Sequence, residues 1–266
     1  MTGLPVLSWR RPSRPERICL AVFALALVIG WLLPVIPQDQ GYHRFADQRS
    51  WLVIAHAADV LSNLAFVAVG VAGIAGLASG ERARHSAATE ASLWCVALGF
   101  LGTGFGSAWY HWNPNDATLA LDRLPMTLVF AGVLGAALAQ RIGQNLARAS
   151  LAVLSLLGLA SIVHWRATGD LSLYVTLQFG GIAALLALLA ATRRGDDPFP
   201  WAWVIAWYGL AKLAEAADHA VWTATGGLLA GHTLKHLLAA AAGVAALMPL
   251  WTAAGRRADA APSGLS

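Results

Sequence analysis

What most constrains this chain is the length of its apolar runs. Eight stretches, about 18–36, 58–79, 88–110, 119–140, 147–165, 171–192, 201–222 and 229–251, are predominantly apolar. Each approaches the ~20 residues that a helix needs to cross a hydrocarbon core. Eight such helices use about 160 residues, close to the 58% of the 266-residue chain that is hydrophobic. Only 12% is charged, against roughly 25% in soluble domains. Little length remains for a water-soluble domain, and the continuous runs lack the short alternation of a transmembrane barrel. The expected fold is therefore an all-α, polytopic membrane helix bundle. Its parts are an N-terminal tail, first helix and polar loop over 1–57, a helical core over 58–251, and a tail over 252–266.

Charge placement orients the bundle. Arginines scattered between apolar runs suit helix flanks, so no nucleic-acid partner is expected. If the N-terminus is inside, the inner segments hold Arg10, Arg11, Arg14, Arg17, Arg82, Arg84, Arg141, Arg148, Arg193, Arg194, Arg256 and Arg257. The outer segments hold Arg44, Arg49 and Arg166. This asymmetry predicts cytoplasmic termini, and the Ala- and Arg-rich composition suits a bacterial inner membrane. An Arg-rich start before an apolar run also resembles a signal peptide, but Trp31 and the lack of a small-residue cleavage motif favour an uncleaved helix. Cys19 and Cys95 fall inside apolar runs and read as small hydrophobes. Gly70, Gly73 and Gly76 suit close helix contact in the second run.

Ionisable residues within lipid are costly and mark functional positions. They gather in three places: Ser107 to His111 at the end of the third run, Asp122 and Arg123 at the start of the fourth, and His232 to His236 at the start of the eighth. His232 and His236, four apart, share one helix face, as do Ser107 and His111. An alternating topology puts all three clusters at one membrane depth, in the outer half. Converging there, His111, His232 and His236 would bind zinc with one coordination position open, the catalytic pattern, and water at that position would have a pKa near 7. Asp122 would accept a proton and Ser107 would stabilise a developing oxyanion. Plainer roles remain open: Asp122 as the partner of Arg123 or of the helix N-terminus, Ser107 as a small packing residue, and the imidazoles as packing groups. Elsewhere, Lys212 and Glu215 can pair. Asp218 and His219 can orient a ligand imidazole, Lys235 can snorkel outward, and His164 reads as interfacial. His43 and His56 lie in the polar loop without a defined role.

The pattern Ser107-x-x-x-His111, Asp122 eleven residues on, and His232-x-x-x-His236 in the last run resembles the alkaline ceramidases. It is also similar to the wider membrane hydrolase superfamily that includes adiponectin-type receptors. Asp59-Val60-Leu61-Ser62-Asn63, opening the second run, resembles the start of the ceramidase core. The resemblance covers roughly 42–251 and implies a seven-helix core with one extra N-terminal helix. It implies zinc on His111, His232 and His236, with Asp122 and Ser107 catalytic; Ser62, Asp218 and His219 are candidates to support them. The implied reaction is hydrolysis of ceramide or a related N-acyl lipid drawn from the bilayer. Eukaryotic members carry an acidic calcium-binding segment before the core. Only Asp39, Asp47, His43 and His56 stand in that region here, so calcium is not expected. A receptor or sensor with a structural or vestigial metal is the alternative; it favours a large terminal domain, whereas the tails are only about 17 and 15 residues. Haem ligation would want histidines facing each other across helices rather than paired on one. No broken-helix repeat of the transporter kind stands out.

Overall fold

The structure, a computed structural model, describes residues 12–79, 85–192 and 199–258, apart from the side chains of 253–258. Six of the twelve inner arginines lie outside these residues (Arg10, Arg11, Arg82, Arg84, Arg193 and Arg194), and the side chains of Arg256 and Arg257 are not described.

The elements among the described residues are helices: α1 (Arg14–Leu32), α2 (Ala57–Ser62), α3 (Leu64–Ala78), α4 (Ala87–Trp112), α5 (Asp116–Arg141), α6 (Gln144–Thr168), α7 (Ser172–Ala191), α8 (Trp201–Ala216), α9 (Asp218–Ala224) and α10 (Gly231–Ala258). A short 3-10 turn, Gln40–His43, lies in the loop after α1. Among the described residues, seven helices are long and apolar enough to cross a membrane, with α2 and α3 counted as one. The predicted run at 201–222 is not a single helix. It breaks at Ala217 into α8, of 16 residues, and α9, of 7.

Ser13 opens α1 with a capping box to Glu16. Asn115 caps α5 on the N–H groups of Ala117 and Thr118. The Gly-rich face of α3 packs as expected: a side chain at Gly70 would strike the Leu101 backbone of α4, and one at Gly73 would meet Ala97 and Leu247. One apolar core joins α3, α4, α5, α7 and α10, and includes Phe66, Leu93, Phe100, Leu134, Leu188 and Leu247. A second, at one end, gathers Phe45, Tyr110, Leu119, Ile162, Trp165, Leu171 and Tyr174. The first helix is the least buried of the seven and packs along α7.

The connections that alternate in sequence meet at one end of the bundle. The Ile36 N–H donates to Asp170 between α6 and α7, and Gln40 and His43 reach Asp116 at the head of α5. Ala46 N–H reaches Asp218, and Arg49 reaches the Leu228 carbonyl before α10. At the opposite end Arg141 bonds the Thr192 carbonyl. The loop over 33–56 is thus a strap across the end where α4 finishes and α5 and α10 begin.

Candidate metal centre

Three local devices bring distant residues to this end. The first joins α4 to α5. Pro125 lacks the N–H that would bond the Leu121 carbonyl one turn back, so that oxygen is free to face outward. Gly106 packs against it, and any Cβ there would collide with the Leu121 oxygen. The close approach brings the chain at Ser107 beside that at Asp122. Both are buried.

The second device is the break between α2 and α3. The Asp59 carbonyl there is taken up by Ser62 Oγ at 2.9 Å and Asn63 Nδ2 at 2.8 Å. Ser62 Oγ also lies 2.7 Å from Nδ1 of His236. The hydroxyl has one hydrogen; given to Asp59, it leaves a lone pair to accept Nδ1–H, so Nε2 of His236 carries its own lone pair outward. Thr233 donates to Asp59 Oδ1 at 2.6 Å, tying α2 to α10.

The third is the break at Ala217. It frees the Asp218 carboxylate to accept the His232 N–H at 2.8 Å and the Ala46 N–H at 2.9 Å. Asp218 is therefore a remote cap for α10 and an anchor for the strap. A Cβ at Gly231 would collide with Ala214 and Asp218, so glycine alone admits this contact.

Together these bring His111, His232 and His236 into one cluster, with one ring nitrogen from each within 4.8 Å of the others. The ring centroids are 4.7, 4.9 and 5.1 Å apart. All three are buried. Both nitrogens of His111, and Nε2 of His236, have no hydrogen-bond partner among the described residues. Leaving buried polar atoms unmet costs about 1–3 kcal/mol each, and an imidazole-binding metal ion would satisfy them. Tetrahedral zinc, with bonds of about 2.0–2.1 Å, spaces its nitrogens about 3.4 Å apart, so the rings need close by about 1.4 Å at most. The donor set fits a metal ion; three imidazoles suit zinc, copper, iron or nickel alike.

Phe45 closes the cluster from the strap side, its ring 4.5 Å from His111 and 4.9 Å from His232. His56 is held against the His111 carbonyl oxygen at 2.8 Å, and His43 bridges the Tyr110 hydroxyl at 2.9 Å to Asp116 at 3.0 Å. The strap's own turn is fixed by Asp47, fully buried and gripped by Arg49 at 2.6 Å.

Two expectations are corrected here. Lys235 does not snorkel outward: its Nζ lies 2.8 Å from Nε2 of His232 and 3.1 Å from Glu215 Oε1. Glu215 pairs with Lys212 as expected, and also accepts from the Tyr42 hydroxyl at 2.8 Å. The Glu215 carboxylate, in the last turn of α8, thus turns the ammonium inward. His219, second, is exposed and contacts the Arg44 carbonyl oxygen at 3.3 Å, not an imidazole. His164 is half exposed and close to Asp170, as an interfacial residue should be.

Below the histidines lies an apolar chamber of about 140 Å³. Its upper wall includes Phe66, whose ring is 5.5 Å from His236, and Thr103, one turn from Ser107. Ala239, Ala242 and Gly243 continue the wall down α10. Compared with known protein families, curated proteins and solved structures, the chain matches none of them.

Proposed function

We propose that the chain is a zinc-dependent intramembrane amidohydrolase that cleaves ceramide or a related N-acyl lipid, as the alkaline ceramidases it resembles do. The observation that carries this reading is a buried trio of imidazoles, two of them with nitrogens that have no partner among the described residues, at the head of an apolar chamber. An amphiphile fits that arrangement, with its amide at the histidines and a hydrocarbon tail below. On this reading α8 and α9 together form one crossing, α1 is added to a seven-helix core, and the strap faces the extracytoplasmic side.

Zinc held by His111, His232 and His236 would supply Lewis acidity and a water acidified to a pKa near 7. Around it the chain's own groups divide the work. Asp122 takes a proton from the attacking water and passes it to the amine as the carbon–nitrogen bond breaks and a carbon–oxygen bond forms. Ser107, beside it, orients that carboxylate and offers its hydroxyl to the carbonyl oxygen. Lys235, held by Glu215 and in contact with His232, places an ammonium at the edge of the cluster.

Purified protein should hold about one zinc per chain and release amine from N-acyl sphingosine. His232→Ala should lose both. Asp122→Asn should keep the zinc and lose about 10²–10⁴-fold in rate. Stoichiometric zinc in His232→Ala would remove the ligand assignment, and undiminished turnover in Asp122→Asn would remove the mechanism. Zinc without turnover in the wild type would favour a receptor.

A further inference from the structure

The chamber wall has three polar side chains, Thr103, Gln178 and Tyr208. Thr103 spends its hydroxyl on the Gly99 carbonyl of its own helix at 2.8 Å. Gln178 and Tyr208 are different. Gln178 Nε2 donates to the Tyr208 hydroxyl at 2.7 Å, joining α7 to α8. Among the described residues, neither the Tyr208 O–H hydrogen nor the Gln178 carbonyl oxygen is engaged in a further hydrogen bond. A donor and an acceptor therefore stand side by side on an otherwise apolar wall. No bulk water reaches this depth of a membrane to satisfy them.

Their depth follows from the helix register. The Lys235–Glu215 contact levels α10 with α8. Tyr208 precedes Glu215 by seven residues and Ala242 follows Lys235 by seven, and both line the chamber. Seven residues rise about 10 Å. The pair thus faces the chamber about two turns below the candidate metal centre, beyond reach of an amide bound there.

We infer that Gln178 and Tyr208 recognise a hydroxyl carried partway along the hydrocarbon chain of the bound lipid. A hydroxyl both gives and accepts a hydrogen bond, so one group meets both needs: it donates to Gln178 Oε1 and accepts from Tyr208. A ketone or ether would meet Tyr208 alone, and a plain methylene would meet neither. Sites built to bond a substrate hydroxyl discriminate strongly against analogues that lack it, because their own polar groups are then left unpaired. The inference rests on the proposed lipid occupant of the chamber, but not on hydrolysis.

The test is displacement of a fluorescent fatty acid from the purified full chain by stearic, 2-hydroxystearic and 10-hydroxystearic acids. The 10-hydroxy acid should bind at least about tenfold more tightly than stearic acid, and the 2-hydroxy acid should not. Tyr208→Phe and Gln178→Leu should each bring the preference to within about twofold. Equal affinity of the wild type for all three acids would overturn the inference, as would no binding of any acid. A preference that survives in both variants would make the pair a strut between helices and also overturn it. His232→Ala should keep the preference. A wild type that selects the 10-hydroxy acid yet hydrolyses no N-acyl lipid would sink the amidohydrolase reading and leave this one standing.

Discussion

At the scale of single residues, the candidate centre depends on side chains that set the direction of an imidazole. Ser62 is the clearest. Its hydroxyl joins the Asp59 carbonyl to Nδ1 of His236, so the metal-facing nitrogen is Nε2. Removing such a supporting hydrogen bond typically costs 10–100-fold in metal affinity. Ser62→Ala should therefore weaken zinc binding by about that factor, read by competition with a chromogenic chelator, without unfolding the protein. Unchanged affinity would leave Ser62 with a packing role only. The trio itself was legible in the sequence because helical spacing puts His232 and His236 on one face, and alternation of helices brings His111 to the same depth. Phe45 and Lys235 were not. Nothing in a polar loop marks one aromatic residue as a cover, and nothing in a basic residue between two histidines tells that Glu215, on another helix, turns it inward.

At the scale of elements, breaks and connections matter more than the helices' own propensities. Span lengths could be read from apolar runs, but the interruption at Ala217 could not: no proline or glycine stands at it, and it is held by what Asp218 gains on the far side. The turn between α6 and α7 shows the same logic in a connection. Asp170 accepts from the Ser172 N–H, then from the Ile36 N–H and the Ser172 hydroxyl, with His164 nearby. Chiefly the Ser172 N–H, and against partial burial, these donors hold its carboxyl down at about 2, from an ordinary 3.8. A depressed acid stabilises the folded state above its unfolded pKa, and that contribution is lost as pH falls through the folded value. Asp170→Asn should thus lower the melting midpoint in detergent by roughly 2–4 °C at pH 6. The deficit should shrink between about pH 4 and pH 2. A deficit that stays constant down to pH 2 would show that the carboxylate's charge is not what holds the α1–α7 end together.

At the scale of the whole molecule, the seven apolar helices make a membrane protein, and the arginine asymmetry predicts which way it faces. Asp39 and Asn145 lie at opposite ends of the bundle and are both exposed. In intact cells, Asp39→Cys should react with a membrane-impermeant maleimide and Asn145→Cys should not; the reverse pattern would invert the orientation. Cys19 and Cys95, within apolar helices, give little background. The strap over 33–56 has a consequence for exchange with the aqueous phase. Phe45 caps the histidines, and the residues around it are tied down at Asp218, at Leu228 and at the end of α4. An ion seated beneath that ring could escape to water only when those ties opened together. Resistance to a soluble chelator would then reflect how rarely the strap unfastens, a clock separate from the strength of the nitrogen bonds.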